Sequence, residues 1–352
     1  MKIEELRKKI DQTDSEILSL MSRRMLLSIR AGRLKKRIRD EKREEEILNN
    51  LRARQDRLVS SSFSEELYGR IFTESKRLQG KNFKLAGFQG ERGAFGESAC
   101  EAFNNSYIPV PCLEFSDVFE GVSNGEFDFG IVPIENSSEG AITSVSHLVT
   151  EKDVKVVGEV VLPVHHSLLG LSNESLEGVK VVYSHPQALA QCRNYIINSK
   201  LEPRPYYDTA GAAAMIAKEK PTAAAAIAGR NCSDLYGLKV LDEDIEDSKS
   251  NFTRFLVVSK VKFSGKGDKC SITFSTKDKA GALSSVLGFF KEVGINLTMI
   301  ESIPSRDSTG RAKFLIDFIG SDRNKKTIET LKRIKAQTTE FKLLGCYRSW
   351  SK

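Results

Sequence analysis

Residues 3–38 read IEELRKKIDQTDSEILSLMSRRMLLSIRAGRLKKRI and contain the clearest structural pattern in the chain. Read in heptads, this stretch places two neighbouring rows of mostly apolar side chains on one face of a helix. The first row is Ile3, Ile10, Ile17, Arg24, Ala31 and Ile38, and the second row is Leu6, Thr13, Leu20, Leu27 and Leu34. The pattern predicts one long amphipathic helix with a coiled-coil-like seam.

Arg24 interrupts that seam, because it lies where an apolar residue is expected. A guanidinium keeps its charge, so burying it requires a nearby anion. The alternatives are that Arg24 extends to water or pairs with a Glu of a neighbouring helix. Lys35 returns to nearly the same face about 16 Å further along the axis, so the two cations can reach one small polyanion. Arg7 lies about 26 Å below Arg24, so we expect it to serve a site that a second chain completes.

Length and composition indicate a soluble protein of two or three domains. The chain has 352 residues, of which 40% are hydrophobic and 29% are charged. No apolar run approaches transmembrane length and no signal peptide precedes the first helix, so a cytoplasmic location is expected, with no membrane partner. The six cysteines lack paired spacing, and we interpret them as free thiols in a reducing compartment, with no metal site. They are Cys100, Cys112, Cys192, Cys232, Cys270 and Cys346.

The net charge of +7 is unevenly distributed. Residues 1–80 hold 20 basic and 14 acidic side chains, whereas the other 272 residues hold 34 and 33. Nucleic acid and a small multiply charged anion are the two partners that such a basic region suggests. The chain lacks a recognition-helix pattern, a zinc finger and an aromatic RNA-binding motif, so we favour the small anion over nucleic acid.

Two further helices are predicted in this region, at about 41–58 and 64–79, with Ser62 and Glu65 as a capping box for the second. Asp40, Arg43 and Glu44 share one face by their spacing. Ser75 and Gln79 are one turn apart on the last helix. Each polar residue taken singly is typical of a solvated helix surface.

Taken together, these features resemble the all-helical class of chorismate mutase over the full 80 residues. The matching motifs are Leu6-Arg7-Lys8-Lys9-Ile10-Asp11, Arg23-Arg24, Gly32 to Lys35, Arg39-Asp40 to Arg43-Glu44, and Ser75 with Gln79. The resemblance implies an intertwined dimer of three-helix subunits formed by residues 1–80. It assigns the chorismate carboxylates to Arg7 of the partner chain, Arg24 and Arg43, with Ser75 near one of them. It assigns the ether oxygen to Lys35 and Gln79, and the substrate hydroxyl to Asp40 and Glu44; alternatively, Glu44 is a plain salt-bridge partner of Arg43.

From residue 81 onward, short apolar runs alternate with helical stretches, which predicts an α/β region of two lobes. The predicted strands are Lys84–Phe88, Phe127–Ile134, Val154–Val161, Val179–Tyr183, Ala223–Ile227 and Phe255–Val258. Polar loops follow several of them, where open α/β sheets bind ligands. The first loop, residues 87–98, is glycine-rich and leads into a helix, so it is suited to present backbone N–H groups to an anion. Ser184 also suits a structural role as a helix N-cap.

This region resembles prephenate dehydratase over residues 83–262. The matching motifs are the glycine-rich start, Pro133-Ile134-Glu135-Asn136 with Gly140-Ala141-Ile142, Leu162-Pro163-Val164-His165-His166, Ser184-His185-Pro186-Gln187 with Gln191-Cys192, and Thr253-Arg254-Phe255. The resemblance implies a two-lobed, periplasmic-binding-protein-like domain with its site between the lobes. It makes Thr253 the catalytic residue and assigns substrate binding to Asn136, Ser184, Gln191 and Arg254. Thr253 either donates a proton to the departing hydroxyl or positions the donor, for which Glu135, His165, His166 and His185 are rivals.

Residues 268–352 follow a short Gly/Lys linker and have the predicted order βαββαβ, which is ferredoxin-like. Ala280-Gly281-Ala282-Leu283 and Glu301-Ser302-Ile303-Pro304 resemble the ACT regulatory domain of prephenate dehydratases. The resemblance implies phenylalanine binding by residues 280–283 and by Glu301 and Ser302, at an interface between two such domains. Ala280 replaces the usual Pro and Ile303 the usual Arg. The alternative is an oligomerising domain with an empty pocket.

The three resemblances together predict a multidomain, bifunctional enzyme of phenylalanine biosynthesis. Its substrates are chorismate and prephenate, phenylalanine is its effector, it needs no cofactor, and it forms a homodimer or a tetramer. Two alternatives stay open. In one, the helical domain only dimerises a monofunctional dehydratase. In the other, the chain is a DNA-binding regulator with a two-lobed sensor, whose DNA affinity would depend steeply on salt.

Overall fold

The computed structural model describes residues 3–35, 37–53, 57–277, 279–304 and 311–351, except for the side chains of Lys8, Arg311 and Ala312. It divides into two compact units, Met1–Phe83 and Lys84–Lys352. The second unit therefore contains both the α/β region and the C-terminal βαββαβ region. Within the described ranges, no helix is long and apolar enough to cross a membrane.

The first unit is all-α, as predicted, with helices α1 (Ile3–Leu34), α2 (Glu41–Arg52) and α3 (Ser61–Gln79). The first helix ends before the predicted residue 38, and residue 36 lies outside the described residues. The helix predicted over 41–58 ends at Arg52, and residues 54–56 lie outside the described residues. The cap of α3 is Ser60 rather than Ser62, because the Ser60 hydroxyl accepts the Phe63 backbone N–H.

The apolar seam of α1 is not covered within the chain. Its exposed large side chains are Ile3, Leu6, Ile10, Ile17, Leu20, Leu27 and Leu34. In contrast, Ile29 of α1 and Ile71 and Phe72 of α3 are buried. Within the described residues, α1 and α3 thus each bury apolar side chains while the seam of α1 stays exposed.

The second unit begins with a mixed sheet that forms the first lobe. Its order is β2-β1-β3-β11-β5, with the short β4 paired to β3. β11 runs antiparallel to both neighbours and so occupies the interior of the sheet. The strands are β1 (Leu85–Gln89), β2 (Ile108–Cys112), β3 (Phe129–Asn136), β4 (Gly140–Ala141), β5 (Lys155–Pro163) and β11 (Phe252–Ser259), and the helices are α4 (Phe95–Phe103), α5 (Phe115–Ser123) and α6 (Thr143–Glu151).

A second sheet, ordered β10-β6-β9-β7-β8, forms the other lobe. The chain leaves the first sheet after β5 and returns to it in β11, so it crosses between the lobes twice. This topology confirms the predicted two-lobed α/β architecture. The strands are β6 (Ser167–Gly170), β7 (Val181–Ser184), β8 (Glu202–Pro205), β9 (Ala224–Ala228) and β10 (Lys239–Asp242), and the helices are α7 (Pro186–Gln191), α8 (Arg193–Asn198), α9 (Thr209–Glu219) and α10 (Asn231–Tyr236).

The C-terminal region has the predicted βαββαβ order and a sheet ordered β13-β14-β12-β15, which confirms the ferredoxin-like fold. Its core contains Phe274, Phe290, Ile316 and Phe318. Its elements are β12 (Lys269–Lys277), α11 (Ala282–Val293), β13 (Leu297–Ile303), β14 (Arg311–Ile319), α12 (Lys325–Gln337) and β15 (Glu340–Tyr347).

Cys270 and Cys346 form a disulfide, so the prediction of free thiols is wrong for this pair. β12 and β15 run antiparallel and place the two residues directly opposite each other, with 4.1 Å between their Cα atoms. The two cysteines are 76 residues apart in sequence, so their proximity cannot be recognised without the register of β12 and β15. Among the other cysteines, four are free and buried: Cys100, Cys112, Cys192 and Cys232.

Candidate active sites

Arg24 lies half-buried between α1 and α3 in the first unit. Its Nη1 donates to the Ser75 hydroxyl at 2.8 Å, and the guanidinium lies over the rings of Tyr68 and Phe72. Burial lowers the pKa of Arg24. No carboxylate among the described residues forms an ion pair with it, which argues against the alternative of a neutralising Glu. The cation is therefore available to an anion that enters beside α3.

Gln79 lies one turn beyond Ser75 on α3, as predicted. Its Nε2 donates to the Ser28 carbonyl at 2.8 Å, while its Oε1 is buried and has no partner in the part of the chain that the structure describes. Gly32 makes room for this side chain, because a Cβ at that position would lie 2.8 Å from the Gln79 Cγ. A larger residue at position 32 would collide with Gln79, which explains why α1 contains a glycine there despite its poor helix propensity.

Four further predicted mutase residues lie around the start of α2: Lys35, Asp40, Arg43 and Glu44. The Lys35 ammonium pairs with Asp40 at 3.1 Å, and Asp40 also caps α2 by accepting the Arg43 backbone N–H. The hydrogen bond from Lys35 is the main reason that the pKa of Asp40 is lowered.

Arg43 and Glu44 do not pair with each other. Arg43 pairs with Glu46 at 3.1 Å, and Glu44 pairs with Lys76 of α3 at 3.0 Å. The interpretation of Glu44 as a salt-bridge partner of Arg43 is therefore wrong. Arg7 lies exposed on α1.

A cavity of about 470 Å³ lies between the two lobes of the second unit. Thr253 and Asn136 line it and are cross-strand neighbours of β11 and β3. The Asn136 amide donates to the Thr253 hydroxyl at 2.9 Å and to Asn251 Oδ1 at 3.0 Å. The Ser138 backbone N–H donates in turn to Asn136 Oδ1 at 2.9 Å. These bonds fix the orientation of Asn136, and Asn136 fixes that of the Thr253 hydroxyl.

Gln191 and His166 meet on the wall of the same cavity. The Gln191 Oε1 and the His166 Nε2 are 2.9 Å apart, so this ring nitrogen carries the proton. The His166 ring packs edge-on against Phe95, and burial lowers the pKa of the imidazole. His166 is therefore neutral near pH 7, which makes it a poorer acid than an imidazolium.

Of the other three rival proton donors, only His185 lines the cavity. His185 lines the cavity and caps α7 by accepting the Gln187 backbone N–H. His165 and Glu135 are not among the lining residues: His165 pairs with Glu246 at 2.9 Å, and Glu135 lies 3.6 Å from Arg254.

Ser184 is not among the residues that line the cavity, and its hydroxyl makes a hydrogen bond inside the second lobe. Its side chain is fully buried, and its hydroxyl donates to the Ile227 carbonyl of β9. It does not cap α7, since His185 does so. This placement does not support the expectation that Ser184 contacts the substrate.

Arg254 points away from the cavity, although it directly follows Thr253. Successive side chains of a strand project to opposite faces of the sheet. The Arg254 guanidinium donates to Glu159 at 2.8 Å and to Asp317 of β14. The expectation that Arg254 binds the substrate is therefore not supported either.

Two backbone N–H groups of the glycine-rich loop already donate hydrogen bonds within the protein. The Gly93 N–H donates to the Glu97 carboxylate, and the Gly90 N–H donates to the Cys112 carbonyl. Gly90 and Gly93 have φ values of +117° and +87°, which side chains disfavour. These two amides are thus not free to bind an anion.

Asp208 is a cavity residue that sequence reasoning missed. It caps α9 by accepting the Gly211 backbone N–H at 2.8 Å, and burial raises the pKa of its carboxyl. Its neighbour Tyr207 also lines the cavity and donates to Glu91 of the glycine-rich loop at 2.9 Å. The signal was present in the sequence as an Asp before an alanine-rich helix, which is an N-cap pattern.

The predicted effector residues lie in two elements of the C-terminal region. Ala280 and Gly281 precede α11, and Gly281 has φ +81°, a conformation that favours glycine. Ala282 and Leu283 begin α11. Glu301 and Ser302 lie on β13, where the Glu301 carboxylate accepts a hydrogen bond from Ser146 of α6.

Three family models match the chain in sequence order: chorismate mutase type II at residues 6–80, prephenate dehydratase at 86–262 and ACT domain at 271–336. The bifunctional chorismate mutase/prephenate dehydratase of Aquifex aeolicus is 36% identical over 98% of this chain and 97% of its own length. The chain belongs to the bifunctional chorismate mutase/prephenate dehydratase family. This membership confirms the prediction of the three domain types and their order.

Two solved structures resemble this member of the family. Prephenate dehydratase from Arthrobacter aurescens in complex with L-Phe matches with a TM-score of 0.70 and 28% identity, covering 75% of this chain and 90% of that one. GqqA, described as a novel type of quorum-quenching acylase, matches with a TM-score of 0.71 and 29% identity, covering 76% of this chain and 98% of that one.

Proposed function

We propose that this protein performs two consecutive steps of phenylalanine biosynthesis, converting chorismate to prephenate and prephenate to phenylpyruvate. The observation that carries the proposal is the match over 98% of the chain to a relative described as having both activities. Residues 1–80 perform the first step, residues 83–262 the second, and residues 268–352 regulate. A cytoplasmic location stays a prediction.

The first step needs only positioning and electrostatic stabilisation. The rearrangement breaks an ether C–O bond and forms a C–C bond within one molecule, without a nucleophile or proton transfer. A protein accelerates it by holding the compact conformer and by stabilising negative charge on the ether oxygen. The Arg24 guanidinium, which no described carboxylate neutralises, binds a substrate carboxylate. The roles of the other residues follow the family pattern: Arg43 and Ser75 at the carboxylates, Lys35 and Gln79 at the ether oxygen, and Asp40 and Glu44 at the hydroxyl.

The mutase site is completed by a second copy of the chain. Arg7 lies exposed on α1, and the apolar seam of the same helix is exposed along its length. An exposed stripe of Ile and Leu side chains favours association, since burying each contributes about 1.5–3 kcal/mol. A seam-to-seam dimer brings Arg7 of one protomer to the site of its partner. ACT domains offer a second contact between chains, so the assembly is a dimer that uses both contacts or a tetramer.

The second step removes carbon dioxide and hydroxide from prephenate and leaves an aromatic ring. The departing hydroxide needs a proton to leave as water. The Thr253 oxygen accepts from Asn136, so its own hydrogen is left to donate to the substrate hydroxyl. Asn136 holds that donor in place, and Gln191, held by His166, contacts the rest of the substrate.

Phenylalanine inhibits the dehydratase by binding the ACT domain. The complex of the Arthrobacter aurescens enzyme with L-Phe supports this part of the proposal. Ile303, which replaces the usual Arg, is buried, with 1% exposure. Residues 280–283 with Glu301 and Ser302 form the effector site.

The test supplies purified protein with chorismate alone and follows chorismate loss and phenylpyruvate formation, with and without phenylalanine. Phenylpyruvate formation supports both activities, and its suppression by phenylalanine supports the regulatory role. If chorismate is untouched but added prephenate is consumed, the helical unit only dimerises the enzyme. If neither substrate reacts and salt-sensitive DNA binding is found, the regulator alternative replaces the proposal.

A further inference from the structure

A buried ion cluster joins the dehydratase domain to the ACT domain. The dehydratase contributes Glu159 of β5 and Arg254 of β11, and the ACT domain contributes Lys269 of β12 and Asp317 of β14. We call these four residues the interdomain ion cluster. It lies within the second compact unit.

The contacts in the interdomain ion cluster cross the domain boundary in both directions. The Arg254 guanidinium binds Glu159 at 2.8 Å within the dehydratase and binds Asp317 of the ACT domain. Conversely, the Lys269 ammonium of the ACT domain binds Glu159 at 2.8 Å. The Glu159 carboxylate also accepts the Trp350 backbone N–H at 3.1 Å. Each domain thus holds a charge that the other domain neutralises.

Because these charges are buried, breaking any one of the contacts destabilises the protein. All four side chains are less than 10% exposed, and two cations face two carboxylates. The more exposed Glu135 of β3 adds a further carboxylate, 3.6 Å from Arg254. Burial alone would lower the pKa of Arg254, but Asp317, Tyr347 and Glu159 raise it above its ordinary value. The second oxygen of Asp317, Oδ1, is buried without a partner among the described residues. Asp317 therefore depends on Arg254 for its charge compensation, and loss of this contact is costly.

The Arg254 side chain of the interdomain ion cluster lies on the opposite face of the first-lobe sheet from the Thr253 hydroxyl. Arg254 and Thr253 are consecutive in β11, and their side chains project from opposite faces of the same sheet. Asn136, which orients Thr253, is the cross-strand partner of Thr253 on β3. A displacement of the Arg254 backbone therefore moves the Thr253 hydroxyl relative to Asn136.

The cluster also touches the strand that carries effector residues. Met299 of β13 lies opposite Asp317 of β14, and its sulfur is 3.4 Å from an Arg254 nitrogen. Glu301 lies two residues further along β13, on the same face of the strand. Glu301 itself accepts a hydrogen bond from Ser146 of α6, the helix that follows the cavity residues 139–142.

We propose that Arg254 is a positioning residue through which phenylalanine bound at β13 controls the Thr253 hydroxyl. The inference rests on the proposed function and adds the route by which regulation reaches the dehydratase site. In one arrangement of β13 and β14, Asp317 holds Arg254 and thereby β11 in the geometry that aligns Thr253 with Asn136. Phenylalanine favours a second arrangement in which that contact changes, because a ligand shifts an equilibrium only by binding two states differently.

Asp317→Asn tests the route without touching either site. The amide keeps the volume of the carboxylate and one acceptor for Arg254 but removes the charge that joins the domains. We expect the uninhibited kcat for prephenate to fall, because β11 loses the contact that aligns Thr253, and the remaining activity to respond little to saturating phenylalanine, because the contact that phenylalanine changes is already lost. Calorimetry should still show phenylalanine binding at least as tight as in wild type, because the effector residues are intact and the contact that phenylalanine must change is gone.

Glu292→Gln is the matched control. Glu292 forms an exposed ion pair with Arg333 at 2.6 Å within the ACT domain and does not touch the cluster. This variant should keep wild-type inhibition. Thermal unfolding of each preparation shows whether the second unit, which carries the substitutions, is folded, and its chorismate mutase activity, which belongs to the first unit, normalises the protein amount.

Arg254→Lys is a second variant in case Asp317→Asn fails to fold. Lysine keeps the charge but not the fork that binds Glu159 and Asp317 together. We expect kcat for prephenate to fall about tenfold with KM within about threefold, and inhibition to weaken, because misplacement of a reacting group affects the chemical step. Arg254→Met should lose more activity than Arg254→Lys.

The outcomes separate the inference from the proposed function. If wild-type protein leaves prephenate untouched, the proposed function fails. If wild type is inhibited and Asp317→Asn is inhibited at the same phenylalanine concentration, the route through Arg254 is wrong. It is equally wrong if Asp317→Asn abolishes phenylalanine binding, since Asp317 would then support the effector site itself.

Discussion

Replacement of Thr253 by Val tests the dehydratase site most sharply. Val has nearly the same shape as Thr but lacks the hydroxyl. Thr253 is 9% exposed and its oxygen accepts one hydrogen bond, from Asn136 at 2.9 Å. The same amide nitrogen also lies within hydrogen-bonding distance of Asn251 Oδ1 and the Phe252 carbonyl, so Asn136 keeps partners in the variant.

The structure therefore separates a small effect on stability from a large effect on rate. Loss of one hydrogen bond, with its donor still partnered, should cost about 1 kcal/mol of unfolding free energy. For a unit of this size, that lowers Tm by about 2–4 °C. Loss of a preorganised donor to the leaving hydroxyl should lower kcat by about 10²- to 10³-fold.

The assay measures phenylpyruvate formation from prephenate, together with chorismate mutase activity and thermal unfolding of the same preparation. Thr253→Ser is the matched control, because it keeps the hydroxyl and loses only a methyl group; it should retain most of the activity. If Thr253→Val keeps kcat within fivefold of wild type while remaining folded, Thr253 is not the donor and the reasoning from its single accepted bond is wrong.

Three further predictions concern the mutase site, the effect of pH and the assembly. Gly32→Ala should lower mutase kcat by up to about 10²-fold with little change in Tm, because its Cβ displaces Gln79; unchanged mutase kinetics would mean that Gln79 has no role in the rearrangement. Burial lowers the pKa of His166, so the unfolded chain binds more protons below about pH 6.5, and stability should fall as the pH decreases through that range. His166→Gln should flatten the Tm profile between pH 7.5 and 5.5 that calorimetry records, and an equally steep profile would contradict the assignment. Leu20→Glu, in the exposed seam, should abolish mutase activity and leave dehydratase kcat within about threefold, because the first unit then cannot pair; full mutase activity would show that one chain suffices.

The architecture was largely predictable because hydrophobic periodicity determines it. Five of the strands predicted in the α/β region begin within two residues of their observed starts, among them the buried alanine strand β9. The strands β2, β4, β6, β8 and β10 were missed, and two of them, β2 and β8, each contain two prolines, which lowers strand propensity in sequence. β2 and β8 lie at sheet edges, where a missing N–H is tolerated, and edge position is not visible in sequence.

Site residues were harder to predict where side-chain direction decides their role. Thr253 and Arg254 belong to one motif, yet strand alternation sends only Thr253 to the cavity. Ser184 also belongs to a matching motif, but its hydroxyl is used by the Ile227 carbonyl of a neighbouring strand. Asp208 was missed because its helix-capping role gave no indication that it also faces the other lobe. Contacts between elements distant in sequence decide all of these cases.

The central claim is that two separate sites in one chain perform consecutive reactions. The most direct measurement supplies chorismate to Arg24→Met, to Thr253→Val and to a mixture of the two proteins, and follows chorismate, prephenate and phenylpyruvate together. Thr253→Val should accumulate prephenate, Arg24→Met should leave chorismate untouched but consume added prephenate, and the mixture should again form phenylpyruvate. If Arg24→Met consumes chorismate at the wild-type rate, or Thr253→Val forms phenylpyruvate at that rate, the assignment of the two reactions to these sites is contradicted.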